Sequence, residues 1–138
     1  MTATVGPQRA DAEDTMDTVQ AEVIAAFTRY ESALAAGDVA VMTAMFVNSP
    51  DLVRFGIQDQ QIGARALAEW RVQHPTVPAG RRLFDTRVLP LRNDVAVVTT
   101  LFDYPARAFV GRQSQTWLRT AAGWQVAHAH VSEVPLQA

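Results

Sequence analysis

Gly111–Ser132 reads GRQSQTWLRTAAGWQVAHAHVS, and the fold turns on this stretch. Gly111–Arg119 is rich in β-formers, Ala121-Ala122-Gly123 is a turn, and Trp124–Ser132 is β-rich again. Gln113, Ser114, Gln115 and Thr116 stand in the first strand ahead of Trp117. Polar side chains that are buried in a strand each need a hydrogen-bond partner. So polar a strand, paired with a Trp-containing one, reads as the wall of a pocket. Gln113, Gln115 and Trp117 share one of its faces; Arg112, Ser114, Thr116 and Leu118 share the other.

The pattern before this hairpin is also β. Arg82–Leu89 is a strand, Asn93-Asp94 marks a turn, and Val95–Tyr104 is a strand with a long apolar core. Further upstream it is helical. Val19, Val23, Phe27, Tyr30 and Leu34 fall at spacings of four and three, which predicts a helix over Asp17–Ala36 with one apolar stripe. Asp17 or Thr18 can cap its start, and Gly37 can end it. Asp38 caps a second helix over Val39–Phe46, with Met42, Met45 and Phe46 inward. Leu52–Gly56 reads as a strand, and a polar hairpin through Gln58–Gln61 leads to Ile62. Gly63 then opens a short helix from Ala64 to about His74, closed by Pro75. Helices first and strands last is an α+β order. No βαβ alternation and no Gly-rich phosphate loop stands in the chain. Met1–Met16 reads as a flexible tail ahead of a single domain over residues 17–138.

The 138 residues suffice for one core, and 49% of them are hydrophobic. A net charge of −2 without a basic run leaves no electrostatic footprint for nucleic acid. The absence of cysteine excludes disulfides, thiolate metal sites and thiol nucleophiles. No apolar run reaches membrane-spanning length, and no signal-peptide pattern opens the chain. A cytoplasmic enzyme or ligand-binding domain is the expectation.

Taken alone, the candidate residues have plain structural accounts. Tyr30 on an apolar stripe is most simply a core tyrosine. Arg54 reads as a solvated arginine on an edge strand, although Leu52 shares its face and Gly56 leaves space beside it. Arg71 and His74 suit the dipole at a helix C-terminus. Arg81-Arg82 reads as an ordinary charged loop. His128 and His130 point the same way but are too few to hold a metal, so a structural role is expected, with His130 touching the pocket rim. Asp103 is the strand carboxylate that could serve as a base.

The run Gly-Arg-Gln-Ser-Gln-Thr-Trp, then Gly123-Trp124 and His130-Val131-Ser132, resembles the SnoaL-like branch of the nuclear-transport-factor-like superfamily. Within it the chain is most similar to the AtzH/HpxZ-like family. Arg29-Tyr30-Glu31, Val53-Arg54-Phe55-Gly56 and Trp70-Arg71 carry the likeness upstream. The resemblance implies an α+β roll, with N-terminal helices packed on a curved antiparallel sheet around a conical pocket. Tyr30 and Arg54 match the family's catalytic pair, and Arg71 lies near a family arginine suited to a substrate carboxylate. A more distant likeness, to the association domain of calmodulin-dependent kinase, rests on Trp117, Gly123-Trp124 and the His128, His130, Ser132 alternation. It turns Gln113 and Gln115 toward the pocket. Gln113, Gln115, Arg71, His130 and Trp117 are therefore the expected substrate-binding set.

The implied activity is a decarboxylating amidohydrolase on a small carboxylated urea, 1,3-dicarboxyurea to allophanate, in nitrogen-compound catabolism. No metal or organic cofactor is expected. The expected partners are a small anionic substrate, a second copy of the chain in a homodimer or larger homo-oligomer, and an amidase that supplies the substrate. Two alternatives stand beside it: a non-catalytic small-acid binder, and a ketosteroid-isomerase-like enzyme that pairs a tyrosine with Asp103.

Overall fold

Val19, Val23, Phe27, Tyr30 and Leu34 are all buried, at 1, 0, 4, 3 and 5% exposure. The stripe is thus the inner face of one helix, α1 (Gln8–Ala36), in a computed structural model that describes residues 8–136, with side chains from residue 15 onward. The helix begins before Asp17 and takes in part of the expected tail; residues 1–7 lie outside the described residues. Gly37 ends it with φ +68°, and Asp38 caps α2 (Val39–Ala44) by accepting from the Val41 amide at 3.2 Å. Met42, Met45 and Phe46 point inward as expected.

The chain then lays down β1 (Val53–Phe55), β2 (Gln60–Ile62) and α3 (Ala64–Gln73). Four long strands complete it: β3 (Arg82–Arg92), β4 (Val95–Asp103), β5 (Phe109–Thr120) and β6 (Gly123–Pro135). They form one curved sheet in the order β2-β1-β6-β5-β4-β3. The helices pack on its inner face, and the core lies between these layers.

One expectation is corrected. The sheet is mixed rather than antiparallel, because β1 pairs parallel with β6, Arg54 opposite Ala129. No hairpin joins these two strands, so no turn sets their relative direction. Phe46 already bridges Val126 in the same parallel sense before β1 begins.

The decisive hairpin forms in register from Thr120↔Gly123 outward, with one shift between Thr116 and Trp117. Gly111, Gln113, Gln115 and Trp117 all face inward. Gly111 stands opposite Phe102 of β4, and a Cβ there would collide with the phenyl ring. The missing side chain is what lets Phe102 lie flat under the cavity floor.

Candidate active site

A cavity of about 220 Å³ opens between α1, α3 and the inner face of β4–β6. Tyr30, Arg54, Arg71, Gln113 and Gln115 line it, so five of the seven expected residues converge. Trp117 and His130 do not. Trp117 is wholly buried behind the cavity wall, and its Nε1 donates to Gln115 Oε1 at 3.1 Å. His130 is on the outer face of β6, edge-on to Phe55 at 5.3 Å. Strand alternation separates it from Ala129 and Val131, which do line the cavity.

Arg54 is buried, and strand alternation sends Phe55 outward instead. Its guanidinium is already engaged. Nη1 donates to Asp59 Oδ2 at 2.7 Å and to Gln61 Oε1 at 3.0 Å. Gln61 Nε2 also donates to Asp59 Oδ2, at 2.8 Å. The space that Gly56 leaves is filled by the Asp59 carboxylate, which a Cβ at Gly56 would strike.

Arg71 differs. It is 5% exposed on α3, and its hydrogen bond to the backbone is a long one, 3.4 Å from Nη1 to the His74 carbonyl. Among the described residues no carboxylate pairs with it. Burial lowers its pKa, partly offset by attraction to Tyr30 and Asp59. The Trp70 ring gathers both cations, with Arg54 at 4.7 Å and Arg71 at 4.8 Å from its centre, and His74 stacks on it at 4.6 Å.

Tyr30 is 3% exposed and edge-on to Phe46 at 5.8 Å. Burial pushes its phenol above the ordinary 10.0, while Arg71 and Arg54 pull the other way. At neutral pH it is a protonated donor whose conjugate base would lie beside two guanidinium groups.

The charged-loop reading of Arg81 is overturned. Its side chain is 7% exposed and lines the cavity. Nε donates to Glu31 Oε1 at 2.9 Å, Nη1 to Tyr104 Oη at 3.2 Å, and Nη2 to Gln113 Oε1 at 3.1 Å. The Phe102 ring lies beneath at 4.0 Å. Burial would lower the Arg81 pKa, but the Glu31 carboxylate and the Tyr104 hydroxyl together more than offset it and the net direction is upward. Gln113 Nε2 also donates to Glu31 Oε2, at 3.2 Å, so both ends of Gln113 are consumed. Gln113 therefore braces the wall, and only Gln115 keeps its amide nitrogen for a ligand.

Asp103 leaves the inner site altogether. Arg82 pairs with it at 2.6 Å and holds it below the usual carboxylate range through that hydrogen bond. Asp59 is the cavity-lining carboxylate among the described residues. Its partner Gln61 stands opposite Arg54 in the β1–β2 register, a neighbour that counting back from the hairpin turn could have found. Glu31 and Trp70 offered no such signal beyond their place in the family pattern. Among the described residues, no group of three His, Cys, Asp or Glu side chains is placed to hold a metal.

The AtzH-like family profile matches residues 14–136. The chain belongs to the AtzH-like family. A cystatin-like fold protein from Burkholderia xenovorans is 40% identical, with 87% of this chain and 95% of that one covered and a TM-score of 0.84. A protein of unknown function from Pectobacterium atrosepticum is 36% identical over 85% of this chain and 91% of that one, with a TM-score of 0.82. A ketosteroid isomerase-like protein from Erwinia carotovora atroseptica shares the fold at 22% identity, with 83% and 95% covered and a TM-score of 0.67. No curated protein matches the chain. The AtzH-like chain thus has the nuclear-transport-factor-like, cystatin-like fold, with helices against a curved six-stranded mixed sheet. Among its described residues no helix is long and apolar enough to cross a membrane.

Proposed function

We propose that this AtzH-like protein is a decarboxylating amidohydrolase that removes one carboxyl group from a small N-carboxylated urea, as in 1,3-dicarboxyurea to allophanate. The observation that carries the reading is Arg71, a buried guanidinium without a carboxylate partner, beside the Tyr30 phenol. A buried unpaired charge is costly unless a ligand completes it. A carboxylate would do so through paired hydrogen bonds. The cavity, at about 220 Å³, is smaller than the roughly 300–1,000 Å³ of drug-sized sites. That size and the buried guanidinium groups favour a small anion over an apolar polyketide or steroid.

In the reaction, the retained carboxylate sits on Arg71 and the departing N-carboxylate lies near Tyr30. The bond from nitrogen to the carboxyl carbon breaks, carbon dioxide leaves, and the electron pair stays on nitrogen. Tyr30 supplies the proton to that nitrogen. Its phenolate is stabilised by Arg71 and Arg54, then reprotonated from water. Arg54, held by Asp59 and Gln61, acts as an oriented electrostatic group. An amidase acting earlier would generate the substrate. We also propose that a second copy covers the outer sheet face, where Phe55 is exposed against His128 and His130; light scattering at twice the chain mass would bear this out, and a monomer would refute it.

The test is allophanate formation from enzymatically generated 1,3-dicarboxyurea. Wild type should accelerate it, and folded Tyr30→Phe should lose about 10²–10⁴-fold in rate. Arg54→Ala should fail as well. Wild type no faster than buffer overturns the catalytic reading and leaves a small-acid binder.

A further inference from the structure

Gln115 is 2% exposed, and its side chain faces the cavity from β5. A glutamine amide donates at one end and accepts at the other, and a half-turn exchanges them. Trp117 removes that freedom. An indole N–H can only donate, and here it is wholly buried, 3.1 Å from Gln115 Oε1. The oxygen is thereby held toward the core and the amide nitrogen is left toward the cavity. No described side chain or carbonyl accepts from that nitrogen. Gln113, two residues away on the same face, has both ends occupied by Glu31 and Arg81.

We propose that Trp117 is a positioning residue that locks Gln115 as a donor-only group. The cavity then selects ligands that present an acceptor oxygen beside the carboxylate, such as the carbonyl of a ureido acid. It rejects isosteres that present an N–H at the same point. The proposal rests on the small-carboxylate reading of the cavity and adds which second atom of the ligand is read. Two donors facing each other in a buried site leave both unpaired, which costs more than the absence of one hydrogen bond.

Isothermal titration calorimetry on the full chain tests this with three stable acids: ureidoacetate, guanidinoacetate and propionate. The first two share a carboxylate and a shape; one ends in a carbonyl, the other in a guanidinium, whose N–H comes with a positive charge that the cavity arginines repel in wild type and variants alike. Wild type should prefer ureidoacetate by at least about tenfold. Trp117→Phe changes no protein charge but frees the amide to turn, so the ratio should fall about tenfold from its wild-type value, with the charge repulsion unchanged. Gln115→Met, also charge-neutral, should weaken ureidoacetate by about tenfold while propionate binds as before. A merely structural role for Gln115 would weaken all three acids together. Should Trp117→Phe fail to fold by circular dichroism, Gln115→Met carries the test. A wild type that binds propionate but does not distinguish the other two overturns the proposal alone. The same holds for variants that leave the ratio intact. A wild type that binds none of the three acids overturns the small-carboxylate reading and this proposal with it.

Discussion

Four arginines line the inner cavity, and what each is paired with decides what it can do. Arg107 is held by Glu133. Arg81 is saturated by Glu31, Tyr104 and Gln113. Arg54 is shared between Asp59 and Gln61. Arg71 is the one held ready for a ligand. Its lowered pKa says that folding disfavours its charged form, so apolar replacement relieves the folded state while removing the anchor. Arg71→Met should raise the urea midpoint yet weaken carboxylate binding by about 30-fold or more, a loss near 2 kcal/mol. A midpoint that falls, with binding kept, would refute this assignment. Asp59→Asn should release Arg54, so malonate should bind the variant more tightly than wild type; calorimetry reads this directly. Tyr30 and Arg54 could be picked out only through the family pattern, since spacing alone leaves one a core tyrosine and the other a surface arginine. The state of their partners was not legible. Asp59 reaches Arg54 across a hairpin, and Glu31 reaches Arg81 across 50 residues of chain.

At the level of elements, the inner sheet face is a platform built by alternation. Gly111, Gln113, Gln115 and Trp117 present in turn a gap, a brace, a donor and a core anchor. The gap at Gly111 admits the Phe102 ring, and that ring carries Arg81. Gly111→Ala should cost about 1–3 kcal/mol in a urea melt, because the extra methyl must displace packed aromatic atoms. An unchanged midpoint would mean that the ring moves freely. The hairpin, α2 and α3 could be read to within a few residues, and so could the end of α1, whose start lies nine residues before Asp17. The parallel β1–β6 pairing could not, since nothing local to either strand encodes a neighbour 75 residues away.

Across the whole molecule, a titratable group at the centre of the fold ties stability to alkaline pH. The Tyr30 phenol titrates above its ordinary 10.0 because burial disfavours the phenolate. Between the unfolded and folded values the folded state holds more protons. Its contribution to stability is therefore complete below pH ~10 and lost as pH rises through the folded value. Wild type should lose stability faster than Tyr30→Phe above pH ~10, measured as the difference between their denaturation midpoints across that range. Identical slopes would place the phenol in water rather than in the core.

By itself the sequence determined the α+β order, the inward stripe of α1, the inward alternation of β5 and the family. These follow from periodicities of 3.6 and 2 and from local turn chemistry, which act over a few residues. Only the tertiary structure decided that Arg71 lacks a carboxylate, that Arg81 belongs to the cavity wall, and that Asp103, Trp117 and His130 stand outside the cavity. Each of these depends on which distant side chain completes a charge or a hydrogen bond once the sheet has curved around the helices.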